Sequence, residues 1–183
     1  RGLARVGLSA NAVTLAGLIP AMGAAWALAE RQFLLALALI LANRLLDGLD
    51  GAVARVRGLT DFGGFLDIVM DFAFYVAVPL GFALAAPGNL LPALVLVASF
   101  TLTGTSFLAF ATLAAKRGLE TAAHGRKSFI YNTGLAEGTE TILAFCVMCL
   151  WPQHFGPIAY GFAALCLLTV GQRALIARAM FRD

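Results

Sequence analysis

Long apolar runs return through the whole chain, and that recurrence leaves few folds open. The hydrocarbon core of a bilayer is about 30 Å thick, so a spanning helix needs roughly 20 apolar residues. Runs of this kind fall at about 11–29, 32–55, 61–86, 90–115, 130–151 and 156–178. Within lipid a backbone must satisfy its own N–H and C=O groups, and runs this long can do so only as helices. Composition agrees, since 61% of the residues are apolar and only 13% are charged. The chain therefore reads as one all-α integral membrane domain over 1–183 with six transmembrane helices. No linker, low-complexity tract or repeat divides it.

Lysine and arginine set the orientation. With the N-terminus inside, the cytoplasmic segments carry Arg1, Arg5, Arg55, Arg57, Lys116, Arg117, Arg126, Lys127, Arg173, Arg178 and Arg182. The outer turns carry only Arg31, and Arg44 lies inside the second span. Both termini are expected in the cytoplasm, and the net charge of +3 reflects orientation rather than nucleic-acid binding. Leu3, Val6 and Leu8 among Arg1 and Arg5 suit a short N-terminal interfacial helix. Ser9-Ala10-Asn11 reads as the cap region of the first span. Arg1, Arg5 and the apolar run to Ala27-Leu28-Ala29 have the order of a cleavable signal, but the run is long for one, so it is read as a span. Cys146, Cys149 and Cys166 fall inside apolar spans and read as small buried hydrophobes.

One stretch breaks the pattern. Residues 47–71, DGLDGAVARVRGLTDFGGFLDIVMD, hold five aspartates and two arginines. An aspartate at the middle of a membrane helix costs about 2.5 to 3.5 kcal/mol. Asp47, Asp50 and Ala54 share one helical face, and so do Asp67 and Asp71. The two faces belong to consecutive antiparallel helices joined by a short cytoplasmic turn, so four carboxylates can converge. An all-oxygen cluster suits Mg²⁺, Mn²⁺ or Ca²⁺ better than zinc. Arg55 can meet phosphate, while Gly51, Gly63 and Gly64 leave room for a ligand near the backbone. Metal-assisted phosphate chemistry is the first reading. Ion or solute transport is the second, and helix pairing through Arg44, Arg55 and Arg57 the third.

The same residues carry a family pattern. Asp47, Asp50, Gly51, Ala54, Arg55, Gly64, Asp67 and Asp71 stand in the spacing D-x2-D-G-x2-A-R-x8-G-x2-D-x3-D. This resembles the signature of the CDP-alcohol phosphotransferases, membrane enzymes that make phospholipids. SANAVTLAGL is similar to the family's Asn-x-x-Thr entry to its first helix, with Ala10 where Pro is often found. The resemblance implies a transferase that moves a phosphatidyl group from a CDP-linked lipid, CDP-diacylglycerol by preference, to a small alcohol with release of CMP. It implies two divalent ions, Mg²⁺ or Mn²⁺. Asp47, Asp50 and Asp67 would hold one, and Asp47, Asp67 and Asp71 the other. Asp71 would be the catalytic base. Gly51 and Arg55 would bind the CDP part of the donor, with Ala54 and Gly64 the small residues of that site and Asn11 and Thr60 further nucleotide contacts. Membrane lipids and a second copy of the chain are the other expected partners, and nucleic acid is not one. A bacterial-type inner (cytoplasmic) membrane location is expected, with the site facing the cytoplasm. The rival activities are ion or solute transport and a CDP-choline- or CDP-ethanolamine-type transfer to a lipid acceptor.

Outside the pattern, Arg44 is expected to pair with Glu137 or Glu140, or else to help bind substrate. Lys116, Arg117, Arg126, Lys127 and Arg173 suit topology first and an anion subsite second. Asp61 reads as a helix N-terminal residue. The acceptor alcohol stays open. The basic residues suit a phosphorylated polyol, whereas Glu137 and Glu140, if unpaired, would suit an ammonium.

Overall fold

The structure, a computed structural model, describes residues 10–58, 60–118 and 134–181, apart from the side chains of residues 10, 56 and 57. The expected interfacial helix, Ser9, His124, Arg126, Lys127, Arg182 and the Arg57 side chain lie outside that description. Among the described residues six α-helices follow one another: α1 (Ala10–Ala29), α2 (Phe33–Arg57), α3 (Asp61–Ala85), α4 (Leu90–Lys116), α5 (Gly138–Leu150) and α6 (Phe155–Met180). Short 3-10 turns, Pro87–Asn89 and Pro152–His154, precede α4 and α6. No strand occurs among the described residues. The all-helical membrane fold read from the sequence is therefore the fold found.

The six expected spans are not equivalent. By length and apolarity, α1, α3, and α4 and α6 with their leading 3-10 turns suffice to cross a membrane. Helix α2 has 25 residues, long enough at about 37 Å, but it carries Arg44, Asp47, Asp50, Arg55 and Arg57. The fifth run was expected to be helical from about residue 130, yet α5 starts at Gly138 and has 13 residues, about 20 Å. The reason is local. Glu137 caps α5, Glu140 returns a bond to the Glu137 N–H at 3.2 Å, and this capping box fixes the start.

Helix α1 packs on α2 and α3, α4 packs on α6, α3 joins the two groups through α4, and α5 lies against α2 and α6. The groups meet around fully buried aromatic and aliphatic side chains, with Phe82 stacked on Phe155 at 4.3 Å and Phe74 edge-on to Phe145 at 5.7 Å. Cys149 and Cys166 belong to this core, and all three cysteines are free. Small residues permit the closest approaches. A Cβ at Gly81 would stand 2.6 Å from the Ala25 carbonyl oxygen of α1, and one at Gly104 would stand 2.2 Å from the Phe72 ring. Apolar side chains such as Ile19, Trp26, Leu84 and Leu91 point outward, as a lipid-facing surface requires.

Candidate metal and donor site

The polar residues gather where α2 turns into α3. Gly58 ends α2 with φ of +102°, a left-handed conformation that favours glycine, and its N–H donates to the Ala54 carbonyl at 2.9 Å. Thr60 is then extended and caps α3, its Oγ1 accepting from the Gly63 N–H at 3.0 Å. Asp61 opens α3, as read from the sequence. The turn also reaches α1, because a Cβ on Gly63 would meet Thr60 Oγ1 at 2.9 Å and Asn11 Oδ1 at 3.3 Å. Asn11 and Thr60, distant in sequence, therefore stand together beside a glycine that no larger residue could replace without displacing them.

Asp47 and Asp50 occupy consecutive turns of α2, and Asp67 faces them from α3. Carboxylate oxygens of these three lie within 4.8 Å of one another. Asp50 is buried, and its Oδ2 accepts from Thr14 Oγ1 of α1 at 2.7 Å, while Asp67 is exposed. Oxygens ligating a single Mg²⁺ or Mn²⁺ at about 2.1 Å sit within roughly 4.2 Å of each other, so small side-chain rotations would close the set. Hard, oxygen-only donors with one buried, oriented member fit a hard divalent cation. Thr14 belongs to the quoted Asn-x-x-Thr stretch, but its bond to Asp50 shows only once α1 is packed on α2.

Asp71, one turn further along α3, stands beside this group rather than within it. Its Oδ1 accepts from Arg44 Nη1 at 2.9 Å, and the same nitrogen is 3.5 Å from Asp47 Oδ2. The expected pairing of Arg44 with Glu137 or Glu140 is thus corrected. Arg44 is one turn before Asp47 on α2, and α3 brings Asp71 to it. Both glutamates serve the start of α5: Glu137 Oε1 accepts from the Gly134 N–H at 2.6 Å, and Glu140 closes the capping box. Neither forms an ion pair among the described residues.

Of the other pattern residues, Gly51 and Ala54 are half-buried and Arg55 exposed on α2; a Cβ on Gly51 would lie 3.5 Å from Arg55 Nη1. Gly64 is exposed, with open space where its Cβ would be. Two cavities meet at Asp71 and Tyr75. One, about 410 Å³, is bounded by Arg44, Asp47, Gly138 and Ile142. The other, about 310 Å³, is bounded by Phe72, Thr103, Glu137, Thr141 and Arg173. Arg173 is held there by the Thr103 carbonyl at 2.9 Å and Ser106 Oγ at 3.3 Å.

A membrane helix bundle with convergent carboxylates beside a glycine- and arginine-bearing turn of helix is the architecture of the CDP-alcohol phosphatidyltransferases. The profile of that family matches residues 8–176, and the chain belongs to it. The inner membrane protein YnjF of Escherichia coli (strain K12) is 51% identical over 174 residues, 94% of this chain and 84% of its own. The archaetidylinositol phosphate synthase of Methanothermobacter thermautotrophicus is 43% identical over 68 residues, 37% of this chain and 35% of that protein. Mycobacterium tuberculosis phosphatidylinositol phosphate synthase, in its crystal structure with CDP-DAG bound, superposes with a TM-score of 0.79 at 22% identity over 100% of this chain and 95% of that one. The same enzyme in complex with manganese and citrate gives 0.69 at 23%, over 100% and 90%. At these identities the likeness to the solved structures is one of fold.

Proposed function

We propose that the protein transfers a phosphatidyl group from CDP-diacylglycerol to a phosphorylated small polyol, releasing CMP. The observation that carries this reading is the convergence of Asp47, Asp50 and Asp67 within the stretch that the family profile matches. Divalent ions, Mg²⁺ or Mn²⁺, would neutralise the donor diphosphate and the charge that develops on departing CMP. Asp47, Asp50 and Asp67 would hold the first ion, and Asp47, Asp67 and Asp71 the second. Gly51, Ala54, Arg55 and Gly64 form the floor for the cytidine diphosphate, and Asn11 and Thr60 close its edge. Arg55 binds phosphate oxygens through its two-pronged guanidinium.

The hydroxyl oxygen of the acceptor attacks the lipid-bearing phosphorus, the bond from that phosphorus to the CMP oxygen breaks, and the hydroxyl proton passes to the Asp71 carboxylate. The acceptor enters the 310 Å³ cavity, whose wall includes Asp71 and the cation of Arg173. An anionic acceptor fits that wall, and the commitment of Glu137 and Glu140 to the α5 cap argues against an ammonium site. Relatives named for inositol phosphate products support a phosphorylated polyol. The basic residues at the ends bearing the site support a cytoplasmic orientation, and the YnjF relative supports the inner membrane of a bacterium.

The test is CMP release by purified protein in mixed micelles with CDP-diacylglycerol and Mn²⁺, across glycerol 3-phosphate, inositol phosphate, serine and ethanolamine. Turnover is expected with a phosphorylated acceptor, and Arg173→Gln should raise its KM several-fold more than it lowers kcat. Turnover with amines alone, lost in Glu137→Gln, would replace the acceptor reading. No CMP with any acceptor, alongside ion or solute flux in liposomes, would establish transport instead.

A further inference from the structure

Asn43 and Arg44 lie outside the eight-position pattern, yet among the described residues they form a densely bonded polar contact. Arg44 Nε and Nη2 both donate to Asn43 Oδ1, at 2.9 and 2.7 Å. Asn43 is buried and donates in turn from Nδ2 to the Gly17 carbonyl of α1 at 2.9 Å. The guanidinium carbon Cζ lies over the Phe74 ring, 4.6 Å from its centre. Nη1 serves the carboxylates and bridges Asp71 and Asp47. The first three attachments hold the cation in place by means other than the charge of the aspartates.

Asp47 and Asp71 are two of the three carboxylates that the second divalent ion would use. A divalent ion on the same oxygens would face a fixed positive charge at close range in a poorly polarisable surrounding, where repulsion is strong. We propose that Arg44 stands in for the second ion while the donor is absent, so that the free protein binds one divalent ion and takes the second only with the nucleotide lipid. The inference rests on the metal-assisted reading above.

Charge and space support the order of events. Four carboxylates, one guanidinium and one divalent ion leave a single net negative charge, a weak draw for a further cation. A donor diphosphate adds two more negative charges and makes the second ion favourable. Arg44 must then release Asp71, and it has one direction to move. Behind it, the cavity lined by Thr14, Gly17, Asn43 and Asp50 measures about 10 Å³, room for about one water molecule. In front of it lies the 410 Å³ cavity bordered by Tyr75, Gly138 and Ile142. Release frees the Asp71 carboxylate only when donor is bound, which keeps the proposed base paired between turnovers.

Mn²⁺ counting on detergent-purified protein tests this, by equilibrium dialysis with electron paramagnetic resonance to reveal a magnetically coupled pair. Wild type should hold one Mn²⁺ per chain, with no coupled signal, and two after CDP-diacylglycerol is added. Arg44→Gln should hold two without donor, its second site at least about tenfold tighter than in wild type. Arg44→Lys, which keeps the charge, should return toward one. Retention of the first ion by Arg44→Gln shows that the variant folds; if it does not fold, the wild-type counts with and without donor decide. Two ions on free wild type, or a single ion on Arg44→Gln, would overturn the role of Arg44 and leave the metal-assisted reading standing. No bound Mn²⁺ on any form would overturn both.

Discussion

Asp47 and Asp67 are expected to matter most among the aspartates, because each would serve both ions. Asp47→Asn and Asp67→Asn should lose Mn²⁺ binding and CMP release together, measured by dialysis and turnover on one preparation. Asp71→Asn should separate the two properties: turnover falls by about 100- to 10,000-fold, the usual worth of a positioned base, while the first ion stays bound. Near-normal turnover in that variant would remove Asp71 from its role. Thr14→Val tests a contact that spacing alone does not show. Losing the 2.7 Å bond to Asp50 should weaken metal affinity by about 10- to 100-fold, as loss of a ligand-orienting bond does. Arg55→Ala should weaken donor binding, and Arg55→Lys should restore little, since a point charge cannot replace a two-pronged contact. The aspartates were legible in the sequence because their chemistry demands fixed residue types at helical spacing. The partner of Arg44 was not, because α2 alone offers it Asp47 only, and the register of α3 decides that Asp71 completes the pair.

At the scale of elements, the α2–α3 pair and the start of α5 show what periodicity can and cannot resolve. The bounds of α1, α2, α3, α4 and α6 follow the apolar runs to within about two residues, the usual uncertainty of helix ends. Helix α5 departs, because apolar character continues upstream of Glu137 while the backbone there is taken by the capping box and by the bond from the Ala136 N–H to Thr169 Oγ1 at 3.0 Å. Glu140→Ala should therefore cost about 1 kcal/mol of stability, whereas Glu140→Gln, which can still close the box, should be nearly neutral in thermal unfolding. Gly104 sets the spacing of α3 and α4. Gly104→Ala places a methyl group 2.2 Å from the Phe72 ring and should cost about 1–3 kcal/mol, with partial filling of the cavity proposed for the acceptor. Unchanged stability together with unchanged acceptor KM would show that Phe72 moves freely, and that the cavity is less defined than its walls suggest.

For the whole molecule, the bundle places charged chemistry within a lipid-compatible shell. Outward apolar side chains face the bilayer, aromatic packing joins the two helix groups, and the charged residues of α2 and α3 lie between the middle of each helix and the turn they share. In the proposed reaction, a lipid donor would approach from the side and a water-soluble acceptor from the cytoplasmic end. The central claim is group transfer, and it is tested most directly by following donor phosphorus into product. CDP-diacylglycerol labelled in its lipid-bearing phosphate, given with Mn²⁺ and a phosphorylated polyol, should yield new phospholipid and CMP in equal amounts, and chelation of the metal should stop both. CMP formed with phosphatidic acid in place of a new phospholipid would contradict transfer, and so would full turnover after the metal is removed.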